Sequence, residues 1–357
     1  MKSNYDVLGN YIRLIDARNK DNVTDKVVGI NIDKFFMPSV ANVIGTDLSK
    51  YKLITKGKFA CNPMHVGRDE RLPVALYEEV EPALVSPAYF MFEIIDNTVL
   101  DENYLMMWFR RAEFDRICWL HTDGSVRGGI IWDDICRMEI PVHEIDEQRK
   151  IVEAYKVVEN RIKFKRKIND NLDVTAQTLY QELFIDNSDS SSWKQGTVGD
   201  VLQLQRGHDL PRSEMVGGEY PVAGSTETIG YHNKFTAKAP VIVMGRSGNI
   251  GNPRLYLCNC WTHNTSLYVK QIYQAEPIWV FYLLKNLNYD VFVGGSAVPT
   301  LNRNDVHAYG IAIPPLELQK SFSEKVMKLI HCKEENLSEI EKLHELQEIV
   351  LATISSH

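Results

Sequence analysis

The chain has 357 residues, with 40 Lys and Arg against 47 Asp and Glu, a formal net charge of −7, and 44% hydrophobic content. That length suits about two or three domains with cores of their own, and no apolar run approaches the roughly 18 residues of a membrane span. The start at Met1-Lys2-Ser3-Asn4 lacks the apolar core of a signal peptide, and six scattered cysteines read as reduced, so we expect a cytoplasmic protein. The negative total weighs mildly against nucleic acid as a partner, which makes the distribution of charge the deciding observation.

Residues 1–144 mix short β-rich runs with turn residues and form the first expected domain. Lys26-Val27-Val28-Gly29-Ile30-Asn31-Ile32 and Tyr89-Phe90-Met91-Phe92-Glu93-Ile94-Ile95 read as strands. A helix is expected from about Asn103 to Phe114. From Ser49 to Arg68 there is no Asp or Glu, while Lys50, Lys52, Lys56, Lys58 and Arg68 all lie within the window.

Residues 145–186 carry the strongest periodic signal. Steps of four and three give Ile151, Tyr155, Val158, Ile162, Lys165, Asn169, Leu172, Ala176, Leu179 and Leu183, a heptad seam with polar positions in its middle. Such a helix is about 60 Å long at 1.5 Å per residue. Its seam needs a partner. Residues 187–192 read as a polar linker, and Trp193 opens a second domain over residues 193–314. That domain has its own acid-free window, Thr228 to Ala275, holding Lys234, Lys238, Arg246, Arg254 and Lys270. Residues 315–357 form a second long helix, with a seam of Phe322, Val326, Leu329, Lys333, Asn336, Ile340, Leu343, Gln347, Val350 and Ile354.

The two halves are copies of one pattern. A displacement of 171 positions lays Gly124-Ser125 on Gly295-Ser296, Asp134 on Asp305, Ile140 on Ile311, Gln148 on Gln319 and one seam on the other. Leu8-Gly9-Asn10-Tyr11-Ile12 matches Val198-Gly199-Asp200-Val201-Leu202 at a displacement of 190, so the first domain holds extra residues inside it. The expected fold is α+β: two β-rich α/β domains related by a pseudo-two-fold and separated by two long antiparallel coiled-coil helices. Each domain is then carried at the N-terminal end of its own helix, and the two face in opposite senses.

These residues resemble the DNA-specificity subunit of a type I restriction–modification system. The resemblance rests on Ile145-Asp146-Glu147-Gln148-Arg149 and Pro314-Pro315-Leu316-Glu317-Leu318-Gln319-Lys320 at the helix starts, on Val85-Ser86-Pro87-Ala88-Tyr89, and on Met244-Gly245-Arg246-Ser247-Gly248-Asn249-Ile250-Gly251 with Asn264-Thr265. It covers essentially the whole chain. It implies a subunit without catalysis of its own, in which each domain is a target-recognition domain reading one half of a bipartite, gapped sequence in double-stranded DNA. It also implies helices that dock two adenine methyltransferase subunits, with restriction subunits joining, and assigns S-adenosylmethionine, ATP and Mg to those partners. The residues expected at the partner interface are Ile151, Tyr155, Leu179, Leu183, Phe322, Val326, Val350 and Ile354.

The residues themselves carry no catalytic signature. Asn62-Pro63-Met64 lacks the second proline and aromatic of an adenine-methyltransferase motif, and no Gly-rich loop followed by Lys-Ser/Thr is present. Cys258-Asn259-Cys260 with His263 has zinc-ligand types but no second pair at ligand spacing, so alternating strand positions explain it and no metal is expected. DNA contact is expected at the Gly245–Gly251 loop, where Arg246 and Asn249 suit guanine and adenine edges and the glycines allow close backbone approach. Ser247, Arg254, Lys234 and Arg303 join that set. In the first domain the matching place is Lys56, Lys58, Asn62 and Arg68, with the lysines holding phosphates. The small-residue turns 123–129 and 294–301 suit close passage by DNA or support of the domain–helix joint. Two further readings stay open: the recognition part of a fused methyltransferase or nuclease, and a coiled-coil adaptor that binds protein alone.

Overall fold

The computed structural model describes residues 4–40, 45–64, 66–122, 128–292 and 300–354. It divides into two units, Met1–Phe164 with Glu339–His357, and Lys165–Ser338. Each takes one globular domain and one end of each long helix.

In the first unit a four-stranded antiparallel sheet has the order Ile12–Leu14, Phe90–Ile94, Phe59–Cys61, Val74–Leu76. Phe59, Ala60 and Cys61 are all buried, and Phe59 lies opposite Phe92 with their rings stacked at 5.1 Å. Two smaller sheets, Val28–Ile30 with Phe36–Pro38 and Lys52–Ile54 with Ala83–Val85, enclose a satellite core around Tyr77 and Met91. The helix Glu102–Phe109 starts where the Asp101 carboxylate accepts the amides of Asn103 and Tyr104, and it buries every residue from Tyr104 to Phe109. The single helix expected over 103–114 is two. Arg111 is extended, and a second helix, Ala112–Leu120, turns Phe114 back onto Trp108 and Phe109 at 5.0 and 4.9 Å.

The second unit repeats the sheet order: Leu202–Arg206, Ser266–Ile272, Val241–Gly245, Gly251–Tyr256. Beside it a three-stranded sheet joins Thr228–His232, Tyr220–Ala223 and Trp261–Thr262. The parallels reach single bonds. The strand pair Tyr5–Val7 with Glu139–Pro141 corresponds to Lys194–Thr197 with Gly310–Ile313. Leu8 N donates to Met138 O at 2.8 Å, and Val198 N to Tyr309 O at 2.9 Å. Gln148 accepts from the Asp101 amide and donates to His143 O, while Gln319 accepts from the Glu276 amide and donates to Pro314 O, all at 2.7–3.0 Å. Both glutamines are fully buried. A buried amide with its partners met fixes the joint between domain and helix.

The first long helix runs Ile145–Tyr180 and ends in a π-turn, Gln181–Ile185; the second runs Leu316–Thr353. Within each unit the two run antiparallel. In the first, Val158 and Ile162 pack with Ile340 and Leu343, and the His143 ring meets Ile354 O at 3.1 Å. In the second, Tyr180 lies 5.8 Å from Phe322, and Asn336 donates to Asn169 and accepts from Lys165, both at 2.8 Å. Every position of both expected seams is buried or half-buried. Toward the end of the first helix the deepest burial passes from Leu179 and Leu183 to Tyr180 and Phe184. A straight helix of 3.6 residues per turn drifts against a heptad, and the π-turn adds to the offset. Residues 187–192 are not featureless: Ser188–Ser192 form a 3-10 turn capped by Asn187.

Candidate nucleic-acid interface

At one end of the second unit's sheet, Arg206, Ser266, Gly245 and Gly251 stand side by side. The loops 207–209, 246–250 and 263–265 therefore share one rim. They are bonded to each other. Arg246 N donates to Thr265 O at 3.1 Å and its guanidinium to Asn264 O at 3.0 Å, while Leu301 N donates to Arg246 O at 2.8 Å. The Asn264 amide in turn donates to Asp209, and Arg206 lies 3.8 Å from the same carboxylate. A Cβ at position 245 would meet Asn249 O at 1.8 Å, and Gly248 has φ +77°, so this tight hairpin needs glycine at both places. The tip is left open: Gly248 and Asn249 are exposed, and Asn249 accepts one bond from Asn252.

The expected contact residues of this unit thus fall into two groups. Arg246 and Arg254 are half-buried and serve the loops themselves; Arg254 donates to Gly224 O and lies 5.7 Å from the Tyr256 ring centroid. Ser247 bridges Thr300. Asn249, Lys234 and Arg303 are exposed, and no carboxylate among the described residues pairs with either cation. Asp209 and Asn264, which hold the rim together, were not among the expected site residues. The signal for them lay outside the acid-free window and in the Asn264-Thr265 pair.

In the first unit the same rim follows Phe59–Cys61. Ile130 N donates to Pro63 O at 3.1 Å, the counterpart of the Leu301–Arg246 bond, so Pro63 stands where Arg246 stands in the second unit. Asn62 is half-buried and accepts from Met64 N at 3.1 Å. Lys56 is exposed and without a carboxylate partner among the described residues. Lys58 is paired with Glu93, which Arg13 also holds at 2.6 Å. Arg68 makes two bonds to Asp69, at 2.6 and 2.9 Å, and that neighbouring carboxylate raises its pKa. Lys50 lies 3.7 Å from Asp47. Lys52 donates to Tyr89 O at 2.6 Å with Asp16 at 3.8 Å, and burial lowers its pKa.

No group of three or more His, Cys, Asp or Glu that could hold a metal occurs among the described residues. His263 Nδ1 is engaged with Thr265 Oγ1 at 3.0 Å. Most of the two small-residue turns, 123–127 and 293–299, lies outside the described residues. The seam residues expected at a partner interface are occupied within the chain. Tyr155, Phe322, Val326 and Ile354 are buried in the domain cores, and Ile151, Leu179, Leu183 and Val350 pack against them.

Residues 190–347 match the family described as the type I restriction modification DNA specificity domain. The specificity subunit of type I restriction enzyme HindI from Haemophilus influenzae is 23% identical over 221 residues, which is 60% of this chain and 47% of that protein. The chain spans about half the length of that relative. The S subunit of a type I restriction–modification system from M. genitalium has the same fold, with a TM-score of 0.62 at 15% identity over 98% of this chain and 95% of its own. A second solved chain, described with the complex assembly and conformational transition of a type I system, has a TM-score of 0.53 at 15% identity, covering 98% and 97%.

Proposed function

We propose that the chain is the sequence-recognition subunit of a type I restriction–modification complex in the cytoplasm, without chemistry of its own. The observation that carries this is the recurrence of one loop rim on one sheet order in both units, one copy lying within the stretch similar to the DNA specificity domain. Two rims of one design suit two half-sites. Each domain reads one half of a gapped duplex target, and the long helices set the gap. Phosphate contacts supply most of the affinity and a few side chains at each rim supply discrimination. Two adenine methyltransferase subunits dock on the helices, restriction subunits join them, and S-adenosylmethionine, ATP and Mg are bound by those partners. Because the seam residues hold the chain's own core, docking falls on outward side chains such as Val157 and Phe164, 63% and 68% exposed.

The test is to map modified adenines in DNA from cells carrying this chain with its methyltransferase. Methylation within two short elements at a constant separation is expected. A single uninterrupted element, or no sequence dependence, would overturn the reading and favour the adaptor. Within it, Arg246→Ala is expected to weaken binding and relax the choice of base at one half-site, because the guanidinium bond that ties the loop to Asn264 at the rim is lost. An unchanged preference in competition binding would remove Arg246 from the recognition set.

A further inference from the structure

We propose that the two domains contribute unequally to DNA affinity, the second supplying the electrostatic grip on phosphate and the first adding little. The inference rests on the recognition function above and goes beyond it. Two independent observations carry it. In the sequence, residues 1–144 hold 17 Lys and Arg against 22 Asp and Glu, whereas residues 193–314 hold 10 against 8. The surplus is negative on one domain and positive on the other. In space the contrast is sharper. Among the described residues of 1–144, every Lys and Arg except Lys20 and Lys56 lies within 4.0 Å of a carboxylate. Among the described residues of 193–314, Arg206 alone does, with Asp209 at 3.8 Å.

The physical consequence follows from how cations bind duplex DNA. Affinity for phosphate comes from counterion release, and the slope of log K against log salt is about −0.9 for each phosphate neutralised. A cation already facing a carboxylate carries that negative charge to the duplex with it, so the attraction largely cancels within a Debye length of about 10 Å. Lys234, Lys238, Lys270 and Arg303 are exposed and carry no such burden. Lys26, Lys50 and Arg68, held by Glu79, Asp47 and Asp69, do.

The experiment measures binding of the full chain to a labelled random-sequence duplex across a series of salt concentrations. The combined variant Lys234→Gln, Lys238→Gln, Lys270→Gln, Arg303→Gln is expected to flatten the slope by about two or more. The variant Lys26→Gln, Lys50→Gln, Arg68→Gln is expected to leave it within about half a unit. Lysine-to-arginine replacements at the second-domain positions, with Arg303→Lys, should restore the wild-type slope. Equal flattening by both sets, or none by the first, overturns the division while leaving DNA recognition standing. A wild-type chain that binds no duplex at low salt removes the recognition function itself and this inference with it.

Discussion

Two stretches of this chain look alike as sequence and differ in the folded protein. Both Ser49–Arg68 and Thr228–Ala275 are rich in cations and free of acids. In the first domain carboxylates close over the window: the fold brings Asp16 to Lys52 and Glu93 to Lys58, while Asp47 on Lys50 and Asp69 on Arg68 come from its two edges. In the second, no described carboxylate does so. A run of like charge along a chain says nothing of which strands the fold brings beside it. Glu93 reaches Lys58 because their strands pair in the sheet. An exposed electrostatic surface is therefore a property of tertiary structure, and the same pattern can be quiet in one copy of a repeat and active in the other.

The sharpest way to test how deep the likeness between the units runs is at the helix seams. Ile151 and Phe322 occupy the same place in the repeat, yet Phe322 is fully buried and Ile151 only partly. Phe322→Ala should cost about 3–5 kcal/mol in denaturant unfolding, and Ile151→Ala about 2 or less. Equal losses would mean that the two helix starts are packed alike despite their different burial.

Next come the two buried glutamines. Gln148→Leu orphans Asp101 N and the carbonyls of His143 and Val99; Gln319→Leu orphans Glu276 N and Pro314 O. Unsatisfied buried groups cost about 1–3 kcal/mol each when a partner is deleted. We expect a loss of about 2–4 kcal/mol at either joint, larger at Gln148. A loss under about 1 kcal/mol at one of them, by thermal or urea unfolding, would show that the joint is not shared.

These two residues also show what the sequence could disclose. The seam and the glutamines were legible because a buried helical face and a buried amide admit few residue types, and the repeat displays each choice twice. The match of Leu8–Ile12 to Val198–Leu202 was legible for the same reason: Gly9 and Gly199 must be small where each backs onto the short helix before a paired strand, since a Cβ there would lie 2.9 Å from the Cys136 Cβ and 3.2 Å from the His307 Cβ. The break at Arg111 was not legible, since Arg110, Arg111, Ala112 and Glu113 are all good helix formers and no glycine or proline marks the place. Nor was the role of Arg246, whose half-buried guanidinium is spent on Asn264 O. Rim loops owe their conformation to bonds between distant segments, such as Asp209 to Asn264, and no local pattern announces them.

A smaller effect separates the windows themselves. Lys58→Gln removes one of two cations from Glu93, whose side chain is 13% exposed, and should lower stability by about 1 kcal/mol without changing DNA affinity. Lys270→Gln touches no carboxylate among the described residues and should leave stability within about 0.5 kcal/mol while weakening DNA binding. Paired measurements of unfolding and duplex binding check both halves. If Lys58→Gln weakened DNA binding as much as Lys270→Gln, the first window would be no quieter than the second.

The smallest expected effect distinguishes the units by pH. His307 occupies the place that Cys136 holds in the first unit, and its Nε2 accepts the Leu204 amide at 2.8 Å. That amide is available because the strand pairing shifts register between Gln203 and Leu204, which takes it out of the ladder. Accepting this bond requires the neutral ring. Burial, and then the nearby Arg303, lower the His307 pKa below its ordinary value. The unfolded chain therefore takes up the proton first as the solution is acidified. The contribution of this contact is complete above about pH 6.5, is lost as pH falls from there to the lowered folded value, and changes no further below it. Cys136 cannot act in this way, because burial raises its thiol pKa and moves its titration to the alkaline side. Hydrogen exchange at the Leu204 amide should lose protection between pH 7 and 5, after correction for intrinsic exchange, while the Leu8 amide bonded to Met138 O keeps its protection. A parallel loss at both amides would mean that the acid response belongs to the shared design and not to the histidine that one copy has acquired.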